Sequence, residues 1–170
     1  MCSYTSINAC RMSSVTLWAA FLCLLSCSLS DPLDSRNWNS EARASFHQRL
    51  AANLIRQSSL QSINGDVQII GAANTDSVDV TGERVVRSGS QRDAEAHLEL
   101  LQVEVVKADS AIVFRTRQPD RSEGRTYQVD YRIRLPRSVR VIVEAINGAV
   151  SVESVSNGIR IASINGHTDQ

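Results

Sequence analysis

From Ser58 onward the chain alternates apolar and polar residues with the two-residue period of strands that bury one face. The clearest stretch is Tyr127, Val129, Tyr131, Ile133 and Leu135, with Gln128, Asp130, Arg132 and Arg134 between them. Such regular alternation predicts a half-buried strand. Pro136 should end it, because proline has no amide hydrogen for the ladder. Val139, Val141, Val143 and Ala145 resume the same period, and Leu101, Val103 and Val105 alternate with Gln102 and Glu104. Leu98 and Leu100 fall on the other parity, which predicts a bulge or bend near Leu100. Residues 111–116 are expected to pair with that strand, and Val78, Val80, Val85 and Val86 to form short strands around Gly82. One segment departs from this texture. Between Glu41 and Gln57, the residues Phe46, Leu50 and Leu54 recur every four positions, with Ala51 and Ile55 beside them, so a short helix is expected there.

The strands are punctuated by a repeat. Ile63-Asn64-Gly65, Ile146-Asn147-Gly148 and Ile164-Asn165-Gly166 share one motif, and Asn157-Gly158 is a variant of it. Asn and Gly tolerate the positive φ that tight corners need. Asn147, Asn157 and Asn165 lie ten and eight residues apart, a spacing that suits short strands turning at regular corners. The predicted fold is therefore all-β: a β-solenoid, or β-helix-like repeat, with each Asn-Gly stacked on its neighbour and Val and Ile filling the interior. No strand is expected between the last Asn-Gly and Gln170, so residues 46–170 are expected to be a C-terminally truncated piece of a longer repeat domain.

The first 27 residues read differently. Arg11 precedes an apolar run of eleven residues from Val15 to Leu25. As a helix that run would rise about 16 Å, against a bilayer core of about 30 Å. This is the pattern of a secretory signal peptide rather than of a membrane span. The run closes Leu24-Leu25-Ser26-Cys27, which resembles the lipobox at which bacterial lipoproteins are acylated on cysteine. The alternative is a plain signal peptide cleaved between Ser28 and Asp31, with Cys27 incidental. Acylation of Cys27 would attach the protein to a membrane without spanning it. Residues 28–45 read as a polar tether, and residues 46–170 as the repeat domain.

Composition narrows the chemistry. The formal net charge is zero and Lys107 is the only lysine, so nothing in the bulk charge favours a nucleic-acid partner. All four cysteines lie at or before Cys27, which excludes a disulfide framework or cysteine-ligated zinc in the repeat domain. The histidines His47, His97 and His167 share no metal-ligand spacing. His47, beside Phe46, is expected to be partly buried, and the other two to be solvated. Asp130, Arg132 and Arg134 are expected to face away from the core and to make cross-strand ion pairs. Asp76 and Asp79 lack the glycine-rich pattern of calcium-binding rolls. There is no nucleophile elbow and no phosphate-cradling glycine loop. No catalytic, metal or cofactor residue is therefore expected, and the chain is not expected to be an enzyme.

Taken in order, Phe46-His47-Gln48, then Leu60 to Val67 with its Asn-Gly-Asp-Val, then Tyr127 to Pro136, then Val141 to Val150 with its Ile-Asn-Gly, resemble the putative-adhesin β-strand-repeat family of bacterial envelope proteins. The resemblance covers Phe46 to Gly166 and implies an exported, solenoid-like, non-catalytic domain of unknown function. Members usually carry a Pro/Gly-rich turn after the Phe-His element, where this chain has residues 51–55, Ala-Ala-Asn-Leu-Ile.

Three functions follow as expectations. One is a non-catalytic surface adhesion, binding or scaffold module for a protein or glycan surface, with an exposed sheet edge able to pair with a partner strand. Another is an envelope stress-sensing or regulatory protein. A third, less favoured, is a carbohydrate-active enzyme. All place the chain outside the cytoplasm, in the periplasm, anchored at the outer membrane or on the cell surface. The lipobox reading predicts that the mature protein starts at Cys27 with a diacylglyceryl mass, and that globomycin blocks its processing. A lipid-free N-terminus beyond Ser28 would refute that reading.

Overall fold

The computed structural model describes residues 39–169. The leader 1–27, with Cys27, and the tether up to residue 38 lie outside them. The described residues form β1 (Ser40–Ala51), β2 (Gln57–Asn64), β3 (Val67–Ala72), β4 (Ser77–Ser88), α1 (Gln91–Leu98), β5 (Gln102–Ala108), β6 (Ala111–Arg117), β7 (Thr126–Pro136), β8 (Arg140–Asn147), β9 (Val150–Glu153), β10 (Ile159–Asn165) and β11 (Thr168–Asp169).

The all-β expectation holds, with one short helix, but the solenoid does not form. There are instead two mixed sheets. The first runs β1-β4-β7-β3-β9-β11 and the second β10-β8-β2-β6-β5. In the first sheet β1, β4 and β7 are antiparallel, while β7, β3, β9 and β11 run parallel. In the second, β10, β8, β2 and β6 are parallel and β5 closes the edge antiparallel to β6. A solenoid lays each coil on the next one in the chain. Here the chain leaves the stack after β3, makes the long antiparallel strand β4, and returns β7 to the far side of β3. Only the passages β2 to β3, β8 to β9 and β10 to β11 keep the corner geometry, each crossing from the second sheet to the first at an Ile-Asn-Gly.

The expected helix between Glu41 and Gln57 is a strand followed by a turn. β1 pairs with β4 from Ser40↔Ser88 to Ala51↔Ser77, so residues 40–45 belong to the sheet rather than to the tether. Its inward positions are Ala42, Ala44 and Phe46, a period-two pattern hidden by the smallness of alanine. Leu54, the third member of the supposed helical stripe, is 76% exposed. The bend expected near Leu100 is the end of a real helix. Ser90 caps α1 by accepting from the Asp93 amide, and Ala94, Leu98 and Leu101 reach the core.

β7 follows its sequence pattern, burying Tyr127, Val129, Tyr131, Ile133 and Leu135. These join Leu60, Ile69, Ile112, Phe114, Val141, Val143 and Val150 in one core supplied by both sheets. The Tyr131 hydroxyl lies 2.8 Å from Thr116 Oγ1, joining β7 to β6 across that core, and burial pushes its pKa up to about 12. Gly82 sits between Phe46 and Tyr131 in the ladder. A Cβ there would come 2.1 Å from the Asp130 carbonyl and 2.5 Å from the Phe46 ring. The ring covers the bare glycine and meets Tyr131 edge-on at 5.8 Å. In this way an edge strand reaches the core across a position that no larger residue could fill.

Candidate interaction face

The parallel register sets Asn64, Asn147 and Asn165 side by side. Their amides form a ladder: Asn165 Nδ2 donates to Asn147 Oδ1 at 3.1 Å, Asn147 Nδ2 to Asn64 Oδ1 at 2.6 Å, and Asn64 Nδ2 to the Tyr127 carbonyl at 3.0 Å. Gly65 and Gly148 take φ of +116° and +127°, and a Cβ on Gly148 or Gly166 would lie 2.1 Å from the carbonyl oxygen of the preceding corner's glycine. Asn157 and Gly158 are not part of this stack. Gly158 has φ +90°, and Asn157 Nδ2 donates to the Ser138 carbonyl at the other end of the strands.

Two residues complete the corners that sequence reading had not assigned to them. Asp130 Oδ1 accepts from the Asp66 amide at 2.9 Å, and Asp66 Oδ1 accepts from the Ala149 amide at 2.9 Å. Asp130 therefore caps a corner rather than making the expected cross-strand ion pair. Arg132 donates instead to Gln68. The acidic residue directly after Asn64-Gly65 was the available signal for this role.

Several other titratable residues are held in structural bonds. His47 was expected to be partly buried, yet its side chain is 60% exposed. His97 lies on α1, not on open surface before a strand, with Nδ1 2.9 Å from the Asp93 carbonyl. His167 is solvated, as expected. Asp79 accepts from Arg49 and Ser77. Among the described residues no group of three or more His, Cys, Asp or Glu side chains converges. The most perturbed carboxyl is Asp93. Arg125 grips it through Nε at 2.7 Å and Nη2 at 2.9 Å, Ser88 adds a further hydrogen bond, and together they hold it well below the ordinary range. This clasp ties α1 to the start of β7.

The outer faces of both sheets carry ion pairs, Arg117 with Glu104 at 2.8 Å on the second, but the second also exposes aliphatic side chains. On the first sheet Arg43 bridges Glu41 and Glu83, Arg87 pairs with Glu41 and Arg49 with Asp79, a surface of ion pairs in water. On the second, the buried residues Ser58, Leu60 and Ser62 face inward, so Ser59, Gln61 and Ile63 face outward, and their neighbours follow by register. One outward row is Val106, Val113, Ser59, Ile142 and Arg160. The next is Glu104, Arg115, Gln61, Glu144 and Ala162, in which Arg115 donates to Gln61 at 2.7 Å and Gln61 to Glu144 at 3.0 Å. The third ends in the repeat isoleucines Ile63, Ile146 and Ile164, the last two 41% and 73% exposed, and Val106 in the first row is 47% exposed. A shallow groove of about 370 Å³ runs between the second and third rows. A larger crevice of about 920 Å³ lies at the opposite end, where loops bring together polar groups including Arg56, Asp76 and Asp109.

Parallel strands are ordinarily covered on both faces. The first sheet also holds four parallel strands, but there Arg132, Gln68 and Ser151 face outward. The second sheet's uncovered outer side, with Val106, Ile146 and Ile164 exposed among its polar groups, is the feature of the described residues that most calls for a partner. The isoleucines were read from sequence only as part of a turn motif; their three-fold recurrence one residue before Asn was the signal for an outward stripe.

The fold is thus an all-β, two-sheet domain built on stacked Asn-Gly corners. No protein-family model and no curated protein matches the chain. Among solved structures it is similar to a putative cell adhesion protein from Clostridium sporogenes, at 12% identity and a TM-score of 0.46, over 74% of this chain and 59% of that one. It is also similar to a putative adhesin from Bacteroides fragilis, at 9% identity and a TM-score of 0.42, over 76% of this chain and 54% of that one. The chain thus spans less than two thirds of either structure.

The clasp predicts a pH signature. Because the folded pKa of Asp93 is depressed, its contribution is present above the unfolded carboxyl pKa, near about 4, and is lost as pH falls below that. Replacing Arg125 by Ala should lower the thermal midpoint at pH 7, and the gap to the wild type should narrow below about pH 4. Melts of both proteins across that range check it; a gap independent of pH would contradict the clasp.

Proposed function

We propose that the chain is a non-catalytic, exported cell-envelope module that works by binding, with the outer face of its second sheet as the contact surface. The observation that carries this reading is the uncovered outer face on four parallel strands, where the aliphatic side chains of Ile146 and Ile164 stand exposed beside polar rows. Export rests on the signal-peptide pattern before Cys27, and attachment to a membrane on the lipobox-like residues.

The outward rows also weigh against the carbohydrate-active alternative. Glu104 and Glu144, the two carboxylates of the middle row, sit three strand spacings apart. That is about 14 Å, wider than the roughly 5–9.5 Å that glycoside hydrolysis needs between its paired carboxyls. Arg115 and Gln61 fill the interval.

Labelled chain should bind saturably to envelope fractions from cells that express it. Ile146→Glu should weaken that binding at least tenfold while leaving circular dichroism and thermal midpoint unchanged. Absence of saturable binding, or binding indifferent to Ile146→Glu, would overturn the reading.

A further inference from the structure

The outward rows of the second sheet are self-complementary, and we propose that the occupant of this face is a second copy of the same chain, packed sheet to sheet about a two-fold axis running along β2. This rests on the reading of the face as a contact surface and names its partner.

The argument is one of register. A two-fold axis along the central strand exchanges the flanking strands, so that β6 of one copy lies over β8 of the other, β5 over β10, and β2 over itself. In the middle row Arg115 then faces Glu144 of the other copy, and Glu144 faces its Arg115, while Gln61 meets Gln61. In the first row Val113 meets Ile142 twice, and in the third Ile63 meets Ile63. In the middle row opposite charges meet and in the first aliphatic groups meet, with no like charges apposed along these three central strands; in the third row Arg117, ion-paired to Glu104 of its own sheet at 2.8 Å, lies over Ile146. A two-fold axis across the strands, along the middle row, would instead set Glu104 on Glu104, Arg115 on Arg115 and Glu144 on Glu144. The complementarity therefore selects one of the two simple arrangements.

Both charges are already positioned for this exchange. Gln61 holds Arg115 with its carbonyl oxygen and Glu144 with its amide, fixing the two side chains in the row without neutralising either through a direct ion pair. Packed sheets stay aligned to within about 30° because each is twisted, so the match is best near the axis and looser at β5 and β10. The exposed face is on the order of 600 Å² per copy from strand and row spacings, close to the roughly 800 Å² that each partner buries in a standard interface. Such an area fits a reversible dimer that forms where the protein is concentrated, as on an envelope surface.

Sedimentation equilibrium of the purified full chain tests this. The wild type should be a reversible dimer. Arg115→Glu and Glu144→Arg should each raise the dissociation constant at least tenfold, and the double reversal should recover most of that loss. Ile142→Glu should abolish the dimer, and circular dichroism and thermal melts should show each variant folded. A dimer indifferent to these changes would place the contact elsewhere and overturn the proposal. A monomer at every concentration would also overturn it. If that monomer still bound envelopes through Ile146, the binding function would stand and only the identity of the occupant would fall.

Discussion

The structure depends on a close approach of backbone to backbone at the Asn-Gly corners. Where Gly148 turns, the Gly65 carbonyl lies 2.1 Å from the place a Cβ would occupy, and Gly148 stands in the same relation to Gly166. Only a residue without a side chain permits that contact, and only a permissive one accepts the positive φ at the first two corners. Once the corners touch, the asparagine amides meet as a ladder and the strands on either side have no freedom of register. A slip of one residue would break the ladder and turn Leu60, Val143 and Ile69 out of the core.

That constraint also creates the exposed face. Stacked corners force β2, β8 and β10 to run parallel, and β6 joins them in the same sense. Parallel strands need cover, and the inner side finds it in the core shared with β7, β3 and β9. The outer side carries the isoleucine of every repeat, placed there because it immediately precedes the inward asparagine. The exposed face is thus a consequence of the repeat rather than an addition to it. The first sheet meets water with polar groups. Its β1–β4 half carries ion-paired arginines and carboxylates, and its own parallel strands β7, β3 and β9 turn Arg132, Gln68 and Ser151 outward.

What could be read in the sequence follows the same division. β7 was legible because five large residues alternate without a break and a proline ends them. The three Ile-Asn-Gly corners were legible because turn chemistry is local, and Asn157-Gly158 misled because the same dipeptide serves a different turn. β1 was misread because Ala42 and Ala44, the inward residues of an edge strand, carry too little hydrophobic signal to compete with the accidental spacing of Phe46, Leu50 and Leu54. α1 was missed although Ser90 and Asp93 stand at capping spacing, because its polar residues outnumber the two that are buried. The strand order was not legible at all. Nothing local states that β7 returns beside β3, since that pairing is decided by long-range burial. The paired rows of the outer face became visible only once that order set the register.

The central claim is that the corner glycines hold the parallel stack through a contact no side chain can share. Comparing the stability of Gly148→Ala with that of Gly89→Ala by denaturant unfolding tests it most directly, because a Cβ at Gly89 meets nothing within 4 Å. The account predicts a loss of at least about 2 kcal/mol for Gly148→Ala, with Gly89→Ala within about 1 kcal/mol of the wild type. Equal stabilities for the two variants would contradict it.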